Sequence, residues 1–101
     1  MLESLLGNKS AEKVMLALYH HGELHASAIA QIYETALDPI KKQLERFEEA
    51  GYLNARPIGR SRLYSFNKDH PLHLPLIQLI QSASMNQKIY KHKIINEKSL
   101  T

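Results

Sequence analysis

The apolar positions of this chain fall into helical spacing, pass into alternation, and return to helical spacing near the end. Ala11, Val14, Met15 and Leu18 recur at intervals of three and four and predict a first helix, with Ser10 as N-cap, Glu12 in the first turn and Gly22 as the stop. Leu2, Leu5 and Leu6 read as a short preceding turn whose leucines pack on the same core. Glu23-Leu24-His25 has room only for a strand stub. Ala26, Ile29, Ala30 and Tyr33 mark a second helix over about 26–33, without a clear capping residue. The third helix carries the strongest signals: Asp38 as N-cap, Pro39 at the first helical position and Gly51 past the far end. Its buried stripe is Ile40, Leu44 and Phe47.

Beyond Gly51 the pattern changes. Tyr52–Ile58 and Arg62–Phe66 are rich in β-formers and flank Gly59-Arg60-Ser61, which predicts a hairpin. Pro57 confines the first strand to an edge or to the hairpin's end, and Tyr64 and Phe66 share the core face of the second. Asn67 to Pro71 punctuates the exit. A last helix starts between His73 and Pro75 and carries Leu76, Ile80 and Ala83, with Tyr90 and Ile94 on its continuation. Three helices followed by a small β-hairpin make a mainly α fold (α+β), a winged helix-turn-helix with a C-terminal dimerisation helix. Residues 1–84 form that domain, including the start of the terminal helix; 85–101 form a basic extension, a helical continuation or a mobile tail.

Composition narrows the function. A chain of 101 residues and 11.6 kDa supports one core and no separate catalytic lobe. Its longest apolar run, Val14 to Tyr19, is six residues, too short for a membrane span. The absence of cysteine excludes disulfides, a thiolate nucleophile and Cys-ligated zinc. The opening MLESLLGNKS has no early Lys or Arg and does not read as a secretory signal, so a cytoplasmic protein is expected. No Gly-rich phosphate loop, serine elbow or carboxylate pair appears, which predicts a non-enzyme without a cofactor. The net charge of +3 conceals an asymmetry. Residues 1–49 carry five Lys or Arg against eight Asp or Glu, whereas residues 50–101 carry eight against two. A basic half beside an acidic one points to an anionic partner for one face, nucleic acid foremost.

The chain resembles winged-helix regulators of the arsenic-repressor and MarR-like type over about Leu5 to Leu79. The resemblance rests on Leu-Leu-Gly-Asn-Lys-Ser before the first helix, Ile29-Ala30 in the second, and Ile40 ten residues after Ala30. It continues through Leu44, Phe47, Glu49-Ala50-Gly51-Tyr52-Leu53 and Gly59-Arg60-Ser61-Arg62-Leu63-Tyr64. It implies that Ala30 admits a close crossing of the third helix and that Ile40 plugs the contact. One departure is Glu34, where such regulators usually have glycine in the inter-helix turn. It also implies a homodimer through terminal helices that binds double-stranded DNA, with the third helix in the major groove and the wing on an adjacent minor groove or its backbone.

On the third helix the cations precede the carboxylates, against the preference of the helix dipole, at a cost of about 0.3–1 kcal/mol per charge. A DNA reader gains from that order. Lys41 and Lys42 are candidates for phosphate or guanine O6/N7, Gln43 for adenine, and Arg46 for the backbone. The wing offers Arg60, Ser61 and Arg62 at a glycine tip, with Arg56 nearer its base. Asp69, His70, His73 and His92 form a weak metal candidate with no compact ligand spacing, so no metal site is assigned. The surplus of apolar residues in Leu72–Ile80 predicts a partner, most simply a second copy. A rival reading remains open: a winged-helix protein-interaction adaptor or antitoxin-like accessory subunit, favoured by Glu45, Glu48 and Glu49 on the third helix.

Overall fold

The computed structural model describes residues 2–85. A single helical turn, α1 (Glu3–Leu6), leads into α2 (Lys9–His21), followed by β1 (Leu24–His25), α3 (Ala26–Ile32) and α4 (Leu37–Glu49). The hairpin strands β2 (Leu53–Ile58) and β3 (Ser61–Phe66) come next, and residues 73–85 belong to a last helix, α5. The expected order of elements is present.

The centre of the molecule is α2, which buries Ala11, Val14, Met15, Leu16, Ala17 and Leu18. That is more than the single stripe expected, because α2 is covered by α1, α3, α4 and the sheet. Its N-cap is Asn8, whose Oδ1 accepts the Ala11 N–H at 2.8 Å, so Ser10 lies inside the helix and is not its cap. Both residue types cap well; the helix starts where Gly7, in the left-handed region at φ 104°, reverses the chain. Gly22 ends it, as expected.

A four-residue helix does not stand alone, and α1 is held at both ends by its neighbours. Glu12 accepts the N–H of Leu2 at 2.7 Å and of Glu3 at 3.2 Å. Arg46 of α4 donates to the Leu6 carbonyl at 2.9 Å. Leu2 is buried in the core, Leu6 packs against it, but Leu5 is 65% exposed, so one of the three leucines expected in the core faces outward.

α4 begins at Leu37, with Ala36 in the capping position and no side-chain cap. Asp38 and Pro39 therefore sit at the second and third helical positions, two steps further in than expected. Proline is tolerated there because first-turn N–H groups have no intrahelical acceptor. Ile40, Leu44 and Phe47 are buried as predicted.

The two helices of the helix-turn-helix pair end alike. At the end of α4, Gly51 N–H bonds to the Glu48 carbonyl and Tyr52 N–H to that of Phe47, with Gly51 at φ 85°. At the end of α3, Glu34 N–H bonds to Gln31 and Thr35 N–H to Ala30, with Glu34 at φ 51°. Both are Schellman closures, which need a left-handed residue after the cap. The glycine expected from the resemblance is thus replaced by a glutamate that adopts glycine's conformation, and the turn is kept.

The sheet has the order β1-β3-β2, all antiparallel. Leu24 pairs with Tyr64, and the hairpin register runs from Leu53↔Phe66 to Ile58↔Ser61. The loop is therefore two residues, Gly59-Arg60, and Ser61 already belongs to the strand. Gly59 at φ 60° supplies the positive φ of a type II′ turn. Pro57 sits on the edge strand β2. Tyr64 is buried and Phe66 packs against the core, whereas residues 56–62 are exposed, so the tip of the hairpin projects from the body.

The Asn67–Leu72 loop folds back on the end of α4. Asn67 Nδ2 donates to the Gly51 carbonyl at 2.8 Å, and the His70 ring lies on Tyr52 at 4.4 Å. α5 then buries Ile80, Ala83 and Ser84, and the Ser84 hydroxyl lies 3.1 Å from His20 Nε2. The expected helical continuation past Ser84, the tail, and His92 lie outside the described residues, apart from Met85. Among the described residues no helix is long and apolar enough to cross a membrane.

Glu34→Gly should stabilise the fold. A left-handed L-residue costs about 1–2 kcal/mol, and glycine gives back roughly 0.5–1 kcal/mol through its greater freedom when unfolded. A small net gain is expected, seen as a rise of a few degrees in the thermal unfolding midpoint; an unchanged or lower midpoint would show that the Glu34 side chain stabilises the turn.

Candidate nucleic-acid interface

Burial of Ile40, Leu44 and Phe47 divides the rest of α4 into three strips. Opposite the buried stripe stand Asp38, Lys42, Glu45 and Glu49, all exposed. Toward the hairpin lie Lys41 and Glu48, with Glu45 where that strip meets the outer one; on the remaining side lie Gln43 and Arg46, of which Arg46 reaches α1. Lys41 and Glu45 of α4, His25 of β1, Ser27 of α3, and Arg60, Ser61 and Arg62 of the hairpin line one groove of about 380 Å³. Tyr64 forms part of its wall, and burial, the largest influence on it, raises the Tyr64 phenol above its usual pKa.

The sequence-predicted cations divide into free and engaged groups. Lys41, Lys42 and Arg60 are exposed, and none has a hydrogen-bond or ion-pair partner among the described residues. Arg62 is bound to the Glu48 carboxylate and lies over the Tyr64 ring at 5.8 Å, which fastens β3 to the C-terminal half of α4. Arg56 makes a two-pronged contact with Glu23, at 3.0 and 3.2 Å. The hydrogen bond from Arg56 holds the Glu23 carboxyl below its usual pKa. Arg46 is turned away from the groove, against Leu6 and over the Phe47 ring at 4.8 Å. Gln43 is half-buried, with Oε1 enclosed and unpartnered. The structure thus brings together Lys41, Arg60, Ser61 and Arg62, with Lys42 adjacent, and leaves Gln43, Arg46 and Arg56 apart from them.

Sequence reasoning missed the role of Glu23 and Glu48 as the carboxylates that pair with the hairpin's arginines. Neither has a local signal, since their partners are 33 and 14 residues away. Of the weak metal candidates, His92 lies outside the described residues, and His73 Nδ1 is buried without a hydrogen-bond partner among them. His70 Nδ1 accepts the Leu72 N–H at 3.0 Å, and His73 sits edge-on to Phe66. The described residues contain no cluster of three potential ligands.

No family model matches this chain, and no curated protein does. Solved structures do. An antimony-specific transcriptional repressor, AntR, aligns with a TM-score of 0.66 at 21% identity, over 86% of this chain and 77% of its own. The adhesin competence repressor AdcR of Streptococcus pyogenes aligns with 0.68 at 10% identity, over 88% of this chain and 66% of its own. The fold is a winged helix-turn-helix. AF1382 from Archaeoglobus fulgidus, similar at 0.64 and 15% identity, covers 89% of this chain and 97% of its own. A zinc-responsive MarR family member of Lactococcus lactis, ZitR, is also a neighbour, in keeping with the MarR-like resemblance of the sequence. In this frame α3 and α4 are the helix-turn-helix and β2–β3 is the wing.

The clamp between Glu23 and Arg56 should depend on pH. Its carboxyl titrates below the usual value when folded, so the pair adds stability above the unfolded pKa and loses it as the pH falls through the lowered one. Thermal midpoints of wild type and Glu23→Gln should therefore differ at neutral pH, by little because both partners are exposed, and converge in acid. A difference that persists in acid would assign the effect to something other than the charge pair.

Proposed function

We propose that this chain is a sequence-specific double-stranded DNA-binding transcriptional regulator, a binding protein and not an enzyme, acting in the cytoplasm. The observation that carries the reading is the groove that α4 and the wing share, lined by Lys41, Arg60, Ser61 and Arg62. Two elements distant in sequence aim unpaired cations into one concave surface. Lys41 and Lys42, in the N-terminal half of α4, enter the major groove, while Arg60 at the type II′ tip follows the flanking minor groove or its phosphates. Arg56 and Arg46 contribute to the architecture that presents them, and Gln43 is not a base reader.

The functional unit is a homodimer through the terminal helix. Leu72 and Leu74 are 50% and 64% exposed, and Leu79 and Met85 are exposed as well. Leu5, Leu6, Phe47, Leu72, Leu76 and Leu79 help line an apolar groove of about 430 Å³ between α1 and α5. A second copy covering that surface would join two recognition helices for an inverted repeat.

Asp38, Glu45 and Glu49 on the outer strip of α4 favour a second reading, a winged helix that docks on another protein. Salt separates the two, since DNA affinity falls steeply between about 50 and 200 mM salt and an apolar interface hardly responds.

Binding-site selection from random duplex DNA should enrich an inverted repeat with half-sites about one helical turn apart. Lys42→Glu should abolish binding without altering the thermal midpoint, and Arg60→Ala should weaken it and lower the salt slope by about one. Unchanged affinity in Lys42→Glu would remove α4 from the groove. Leu79→Asp should shift the protein from dimer to monomer in sedimentation; a monomeric wild type would overturn the dimer.

A further inference from the structure

Glu45 is out of place in a surface built to meet a polyanion. It is exposed on α4 and lines the same groove as Lys41, Arg60, Ser61 and Arg62. Its neighbour Glu48 is neutralised by Arg62, but Glu45 has no hydrogen bond or ion pair among the described residues. Lys41, one turn earlier on the same strip, does not bond to it. A bare carboxylate at this position repels phosphate and raises the cost of binding any duplex.

The cost disappears only where the duplex offers a donor. Along the major groove the guanine N7 and O6, the thymine O4 and the adenine N7 are all acceptors, and each repels a carboxylate. Cytosine N4 presents a donor alone, and adenine N6 presents one beside an acceptor. We propose that Glu45 is a specificity-determining residue that accepts a hydrogen bond from the N4 amino group of a cytosine. The assignment rests on the DNA-binding reading above. Lys41 and Glu45 are about 6 Å apart along the helix axis, one or two base-pair steps of about 3.4 Å. Lys41 therefore reaches a guanine O6/N7 within two steps of that cytosine. The charge order of α4, unfavourable for the isolated helix, then has a use: the cation selects acceptor-rich edges and the carboxylate vetoes them one turn later.

The test is a set of binding-site selections at one near-physiological salt concentration, with wild type, Glu45→Gln and Glu49→Gln. Glu49 is exposed on the outer strip at the end of α4. Wild type should enrich cytosine at one fixed position of each half-site. Glu45→Gln should lose that preference by about tenfold or shift it to adenine, whose N6 and N7 suit an amide. It should bind unselected DNA as tightly as wild type or more tightly, with an unchanged thermal midpoint. Glu49→Gln should select the wild-type site. Retention of the cytosine by Glu45→Gln, or its loss in Glu49→Gln as well, overturns the assignment and leaves the DNA reading standing. Failure of wild type to enrich any sequence overturns both.

Discussion

Everything on the functional face depends on the burial of Ile40, Leu44 and Phe47 against the apolar centre of the molecule. Each such side chain is worth about 1.5–3 kcal/mol when fully withdrawn from water, and together they set the rotation of α4 about its own axis. A helix rotated by one residue would turn through about 100° and carry Lys42 out of the outer strip. The stripe thus decides which side chains face the charged groove, although none of its members lines it. α2 makes this possible by being buried across six residues of its length, so that α1, α3, α4 and the sheet all share one support.

The second constraint is the fixing of the wing, a projecting two-stranded hairpin with little core of its own. Such hairpins are marginal in isolation. Here β3 is the middle strand of three because β1 adds two residues on its other side, and His25 Nδ1 lies 3.3 Å from the Arg62 carbonyl. Two ion pairs then tie the hairpin to separate parts of the body, Arg56 to Glu23 and Arg62 to Glu48. Exposed pairs of this kind add little stability; what they restrict is orientation. The acids of the N-terminal half and the bases of the C-terminal half, opposed in sequence, are partly mated in space, and Arg60, which faces the groove, is left unpaired among the described residues.

α3 and α4 end with the same pattern of hydrogen bonds around residues of opposite preference, Gly51 and Glu34. In the first the pattern and the residue agree. His70 lies so close to Gly51 that a Cβ there would meet its ring at 3.2 Å, so glycine serves the backbone and the packing at once. In the second the turn prevails over the residue, because α3 and α4 pack on each other with buried residues on either side of it, Ala30 and Ile40 among them.

The order of elements, the three core stripes, the hairpin and its edge proline were legible in the sequence, because each is written in residues a few positions apart. Periodicity and turn chemistry are local, and they determined the fold class. Helix starts were less legible: Asn8 and Ser10 are equally good caps, and the backbone reversal at Gly7 chose between them. The cationic residues were legible as a set but not by role. Arg46, read as a backbone contact, also donates to the Leu6 carbonyl; Arg56 and Arg62 are paired with carboxylates 33 and 14 residues distant; Gln43 has its Oε1 enclosed. Side-chain direction and pairing across the chain depend on how the elements are stacked. The sequence by itself therefore determined which helix and which hairpin form the face. The tertiary structure alone decided which charges on that face remain unpaired, because neutralisation acts through space between residues with no fixed spacing along the chain.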